Sequence, residues 1–281
     1  MSNKIKIEKN TVQETLVMPL YGKAWAVKNF PDLFHDRDCQ EIMNRLDYDF
    51  STMQAQEGSV KMKLAALAAT VRQYALVQEI RDYLKEHPRA LVVNLGCGLD
   101  TAGHQADNGK CRFANIDFPN VIEIREQLLP STEREKNIPS DLNDHAWFDK
   151  LDFRMEDGIV FIASGVFLYF KKEDVKKLFR AMAERFPGGR LAFDGQNTTG
   201  MKVDLKAIRA SGIDVSTNFA LDDPVNELTS WSDRFASVKS NRMFSDYIEP
   251  DKRFGLIYKL MTKFSDGRGM SQLDVIDFKK D

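Results

Sequence analysis

The sequence predicts an α/β protein built on a doubly wound, mostly parallel sheet. Three observations carry that expectation. Short apolar runs alternate with amphipathic helical stretches, the rhythm of parallel strands joined by right-handed crossovers. A glycine turn, VVNLGCGLDTAG (92–103), follows the first apolar run. Pro187-Gly188-Gly189 stops a helical stretch just before the last of these runs, as a helix C-terminus should.

Taken in order, the first 55 or so residues show no clean period and read as a lid. Residues 60–86 are rich in Ala and Leu at helical spacing and end before His87-Pro88. Strands are expected near 90–95, 112–117, 158–164 and 189–194. Between the third and fourth, Val175, Leu178, Phe179, Met182 and Phe186 follow the i, i+3, i+4, i+7 pattern of a helix with one buried face. Residues 196–250, with Trp231, read as an insertion over the strand ends, where open sheets bind ligands. FGLIYKLMTKF (254–264) and LDVIDF (273–278), joined by SDGRGMSQ, read as a terminal hairpin. The organisation is therefore one domain: a lid segment (1–58), a core (59–195), the insertion (196–250) and the hairpin (251–281).

Composition narrows the function classes. Lys plus Arg is 40 against 42 for Asp plus Glu, a net charge of −2, which argues against a dedicated nucleic-acid binder. No apolar run reaches the ~18 residues of a membrane span. The opening MSNKIKIEKN is polar, and Cys39, Cys97 and Cys111 are scattered, so a cytoplasmic protein with reduced thiols is expected. His35, His87, His104 and His145 never fall at metal-ligand spacing, so no metal site is expected.

The chemistry begins at the glycine turn. Gly96 permits a tight turn and Gly98 lets a ligand approach backbone N–H groups. A dinucleotide fingerprint needs a third glycine at 101, where this chain has Thr101. Asp117 ends the second strand nineteen residues after Gly98. It either accepts from both ribose hydroxyls of an adenosine cofactor or caps the helix that follows Pro119, and the two roles are compatible. Tyr21, Lys23 and Tyr169 are the candidates for orienting an acceptor.

The stretches ETLVMPLYGKA (14–24), LDYDF (46–50), HPRALVVNLGCGLDT (87–101), IDFPNVIEIREQLLP (116–130), SDLNDHAWFDKL (140–151) and FIASGVFLYFKKEDVKKLF (161–179) occur in one characteristic order. With them the chain resembles the leucine carboxyl methyltransferase family, including its bacterial branch similar to tetracenomycin-type polyketide O-methyltransferases. The resemblance implies a Rossmann-like class I methyltransferase fold with a seven-stranded sheet and an N-terminal helical lid. It implies S-adenosylmethionine as cofactor and a small-molecule acceptor, most readily a carboxylate, which is already ionised and needs no general base. A phenol or alcohol would need one.

The resemblance also implies residue roles. Arg72 corresponds to the arginine that pairs with the cofactor's carboxylate, Gly96 and Gly98 to the turn under its methionine portion, and Asp117 to the ribose-binding acid. Asp141 and Leu142 correspond to the stretch flanking the adenine, and Lys23 to a basic position near the methyl-donor pocket. Two departures matter. The family commonly has arginine where this chain has Ala102, and glutamate where it has Ser164, which offers the cofactor only a neutral hydrogen bond. A non-catalytic binding module is therefore the alternative, and an NAD-linked enzyme the second.

Overall fold

The computed structural model describes residues 4–8, 16–210, 219–249 and 251–280, with side chains omitted for 207–210. Two short strands, β1 (Ile5–Lys6) and β2 (Leu46–Asp47), pair in parallel and frame the N-terminal helices α1 (Val17–Asn29) and α2 (Asp38–Arg45). Helices α3 (Ser51–Ala55) and α4 (Val60–Glu86) lead into the main alternation. It runs β3 (Leu91–Leu95), α5 (Ala102–Ala106), β4 (Arg112–Asp117), α6 (Pro119–Leu128), β5 (Glu135–Pro139), β6 (Ile159–Ala163), α7 (Lys172–Arg185) and β7 (Arg190–Gly195). The chain then continues through α8 (Thr198–Ala210), α9 (Pro224–Thr229), β8 (Phe235–Arg242), α10 (Leu256–Gly267) and β9 (Gln272–Phe278).

Among the described residues the main sheet has seven strands in the order β5-β4-β3-β6-β7-β9-β8. Strands β3 to β7 pair in parallel, and β9 runs antiparallel to both β7 and β8. The chain winds outward from β3 to β5, then restarts at β6 on the other side of β3. This reversal leaves a crevice over the carboxyl ends of β3 and β6, the place where such sheets bind ligands.

Helices cover both faces, which is why β3 and β6 are apolar throughout rather than alternating. Leu91, Val93, Phe161, Leu191 and Phe193 meet Leu178, Phe179 and Met182 of α7 on one face. Val92, Val160, Ile162 and Ala192 meet Ala75, Leu76 and Ile80 of α4 on the other. The N-terminal helices pack on the sheet's flank: Val17, Leu20 and Ala24 of α1 meet Ile42, Leu99, Ile124 and Leu128.

Three expectations need correction. Residues 254–264 are not a strand; they enter α10, whose buried side carries Tyr258, Thr262 and Asp266. The terminal hairpin exists, but the partner of β9 is β8, which lies inside the stretch read as an insertion. Residues 211–218 of that stretch, like residues 14 and 15 of the first family block, lie outside the described residues. Strand β5 went unread because Glu-Lys-Asn-Ile-Pro carries almost no apolar signal. Among the described residues no helix is long and apolar enough to cross a membrane.

Candidate active site

The glycine turn caps β3 at the crevice. Gly96 and Gly98 have φ of +58° and +47°, a region costly for any residue with a Cβ. A Cβ at Gly96 would lie 2.6 Å from Val166 Cγ2, and one at Gly98 2.8 Å from Leu16 Cδ2. Both conformation and space therefore require glycine here.

Asp117 sits beside this turn because the β3–β4 register pairs Leu95 with Ile116. Its Oδ2 accepts from the Gly98 N–H (2.7 Å) and its Oδ1 from the Phe118 N–H (2.8 Å). It makes no side-chain cap on α6, whose first turn begins with Pro119, so the capping alternative does not hold. Burial raises its pKa against the pull of those two N–H groups. Each oxygen keeps a lone pair for an outside donor, as a ribose diol would supply. Strand β5 then brings the adenine-side candidates alongside: Asp117 lies opposite Pro139 and accepts, through its carbonyl, from the Ser140 N–H (2.9 Å). Leu142 is buried in the core next to this corner, and the exposed Asp141 folds its Oδ1 onto the Asn143 N–H (2.9 Å).

At the other side of the crevice Arg72, on α4, donates from Nη1 to Asp194 Oδ2 (3.0 Å). Asp194 Oδ1 accepts from the Gly165 N–H (2.6 Å). The β6–β7 register ends with Ala163 beside Phe193, and one further step sets Ser164 beside Asp194. The carboxylate absent at 164 thus stands on the neighbouring strand end. A similar relocation meets the absence at Ala102. Arg125, 1% exposed, reaches from α6 to donate from Nη1 to Gly98 O (3.1 Å) and Asp100 O (2.8 Å). Its Nη2 faces Glu135 Oε1 at 3.4 Å.

The N-terminal segment is tied to the same turn. Lys23, 5% exposed, and Gln73 both donate to Asp100 Oδ2 at 3.0 Å, and Thr101 Oγ1 donates to Asp36 Oδ2 at 2.6 Å. Burial opposes the Asp100 charge, but Lys23, the Ala102 N–H and Arg125 outweigh it and hold its pKa below the ordinary range. Thr101, where a dinucleotide turn would have glycine, therefore contacts the N-terminal segment. Tyr21 lies within the N-terminal segment: its hydroxyl donates to Glu57, its ring stacks on Phe50, and only 3% of it is exposed. In this arrangement it offers an acceptor no open atom. Tyr169 is different, 46% exposed in the turn after β6.

Three buried thiols, Cys39, Cys97 and Cys111, have pKa values raised by burial and are poor nucleophiles. Among the described residues no cluster of His, Cys, Asp and Glu suits a metal ion. A shallow groove lined by Glu86, His87, Arg89, Lys110, Glu156 and Asp157 lies at the opposite, amino-terminal end of the strands, away from this chemistry.

The donor set matches the parts of S-adenosylmethionine. An ion pair, Arg72–Asp194, has a cation and an anion to offer a zwitterionic amino-acid end, and Asp117 keeps lone pairs that a ribose diol could fill. Asp194, Asp100, Arg125 and Gln73 were not singled out from the sequence. Only the register of β6 with β7 and the docking of α4 and α6 assign them roles.

The leucine carboxyl methyltransferase pattern matches residues 17–183, more than half of the chain. The chain belongs to the leucine carboxyl methyltransferase family. Within reach of this family lies the tetracenomycin polyketide synthesis O-methyltransferase TcmP of Streptomyces glaucescens, 27% identical over 184 residues. That alignment spans 65% of this chain and 65% of TcmP, just under two thirds of the relative's length. The S-adenosyl-L-methionine-dependent methyltransferase dpfgK of Gibberella zeae is 24% identical over 208 residues, 68% of each chain. Two solved structures share the fold. A candidate methyltransferase from Thermobifida fusca has a TM-score of 0.60 at 17% identity, covering 82% of this chain and 90% of its own. A DUF574 family protein from Streptomyces avermitilis has a TM-score of 0.59 at 14% identity, covering 86% and 96%. The family member described here has the class I methyltransferase fold.

Proposed function

We propose that this family member is an S-adenosylmethionine-dependent O-methyltransferase acting on a small-molecule acceptor. One observation carries the reading: Gly96–Gly98, Asp117 and the Arg72–Asp194 pair converge over the carboxyl ends of adjacent strands. When bound, S-adenosylmethionine supplies a methyl group already activated by its sulfonium. The chain's own task is to hold, align and exclude water, which together can be worth on the order of 7–11 kcal/mol.

In this reading Arg72 and Asp194 exchange their mutual contact for the carboxylate and ammonium of the methionine end. Asp117 orients the ribose, while Ser164 lines the wall beside Asp194. Lys23 acts through Asp100, keeping the glycine turn in register rather than touching the donor. The non-catalytic alternative rested on the charges absent at 102 and 164; Arg125 and Asp194 supply a cation and an anion at the same two corners. The carboxylate acceptor expected from the family and a hydroxyl acceptor make opposite demands, since only the hydroxyl must lose a proton.

The test is methyl transfer from S-adenosylmethionine carrying a labelled methyl group, offered a library of phenols, alcohols and carboxylic acids. Label recovered in an ether or ester supports the reading. Label recovered in no product, with no binding of the donor, overturns it; binding of NAD instead would favour a dinucleotide enzyme.

A further inference from the structure

Helix α10 carries its apolar stripe on the outside. Among the described residues twelve large apolar side chains are exposed, and five of them stand on this one helix. They are Leu256, Ile257, Leu260, Met261 and Phe264, each 51% to 71% exposed. With 3.6 residues per turn they fall within about 140° of its circumference, as one continuous stripe. A single exposed apolar residue needs no explanation, but a contiguous patch marks a contact surface.

The opposite side of the helix fixes this orientation. Tyr258 packs edge-on against Phe254, ring centroids 5.0 Å apart, in a cluster with Phe30, Phe34, Leu67 and Val71. Thr262 Oγ1 donates back to Tyr258 O (2.9 Å), and the buried Asp266 accepts from the Phe244 N–H (3.2 Å). Past the C-terminus, Arg268 O accepts from Asn197 Nδ2 (2.7 Å), two residues beyond β7. The helix thus ends beside the edge of the sheet that carries the crevice. Turning its stripe inward would break these contacts.

The charge around the stripe selects its partner. Lys259 and Lys263 run along one edge, and Arg268 lays its guanidinium 3.8 Å from the centre of the Phe264 ring. Asp266 is the helix's one acidic residue, and it faces inward. At the N-terminal end Arg253 takes up the carboxylates of both Asp32 and Asp251. A second copy packed stripe to stripe about a two-fold axis would set these cations against cations, with no carboxylate of the helix between them. An anionic bilayer suits both features. The stripe enters the acyl boundary, while Lys259, Lys263 and Arg268 meet the headgroup charge. We propose that α10 is an interfacial helix that docks this protein on an anionic lipid surface. It lies in that surface rather than crossing it, since 12 residues make a helix only about 18 Å long.

The test is cosedimentation of the full chain with two kinds of vesicle: phosphatidylcholine alone, and phosphatidylcholine with about one third phosphatidylglycerol. Binding to the anionic vesicles should be at least about tenfold tighter than to the neutral ones, and should weaken as salt is raised. Leu260→Gln combined with Phe264→Gln should weaken it at least about tenfold. Circular dichroism and the urea midpoint should not move, because both side chains are more than half exposed. Lys263→Gln should cost about fivefold on the anionic vesicles only. No cosedimentation with either vesicle, equal binding to both, or a double variant that binds as well as the unaltered protein each overturns the proposal. So does a dimer in sedimentation velocity that the double variant abolishes, which would give the stripe to a second copy.

Discussion

Arg125 is a fully buried cation whose partners are two carbonyls of the glycine turn, the Asn137 amide oxygen and the Glu135 carboxylate. Removing one partner of a buried ion pair typically costs about 3–5 kcal/mol, because the other charge is left stranded. Arg125→Met should therefore lower the unfolding free energy by about 3 kcal/mol in a urea titration, and should also loosen the turn enough to weaken cofactor binding. Asp194 makes a different prediction. Asp194→Asn keeps the bond from the Gly165 N–H but gives up the charge facing Arg72, so it should weaken S-adenosylmethionine binding about tenfold, the value of a charged hydrogen bond. An unchanged dissociation constant would remove Asp194 from the site. At this scale the sequence was informative where function demands a residue type at a fixed place on one element. Gly96, Gly98 and Asp117 are such places, all within one strand–turn–strand unit. Arg125 and Asp194 were silent because each acts on a segment distant in sequence, and no local pattern encodes which strand end a carboxylate will face.

Helix α10 shows how an element can be misread. Its apolar residues Leu256, Ile257, Leu260, Met261 and Phe264 are exposed, while Tyr258, Thr262 and Asp266 face inward. The helical period is present, but polarity is inverted relative to the usual buried stripe, so the run read as a strand. Leu260→Gln should consequently change stability by no more than about 0.5 kcal/mol, and Tyr258→Ala should cost about 3 kcal/mol, both read from urea midpoints. A strand would put residues 258, 260 and 262 on one face, which the burial of Tyr258 and Thr262 beside an exposed Leu260 excludes. Strands β5 and β8 escaped notice for a shared reason: they are the two edges of the sheet and need little apolar sequence. The central elements were legible because burial on both faces writes itself into composition. Contacts between elements also set a pH dependence. His104 of α5 bridges Asp38 of α2 (2.6 Å) and Glu135 of β5 (2.8 Å), and those two partners raise its pKa from 6.5 to about 10. A pKa raised on folding contributes stability that is fully present below 6.5 and is lost as pH rises through about 10. Urea midpoints should decline over that window, and His104→Asn should flatten the decline; a parallel decline in the variant would show that the bridge does not hold the N-terminal segment.

For the molecule as a whole, strand order decides where chemistry is possible. The reversal between β3 and β6 gathers the ends of parallel strands at one crevice, and the N-terminal segment is fastened to the turn by Lys23 and Asp36. A ligand that binds this folded arrangement alone stabilises it by mass action, about 2.7 kcal/mol at a concentration 100 times its dissociation constant. S-adenosylhomocysteine should therefore raise the melting temperature, whereas NAD should not. The central claim is that the crevice over β3 and β6 holds the adenosyl group through Asp117. Calorimetric titration of the unaltered protein and of Asp117→Ala with S-adenosylhomocysteine tests it most directly. Saturable binding at one site per chain is expected, weakened at least about tenfold by the substitution. No binding at millimolar concentration, or equal affinity in the two proteins, would contradict it.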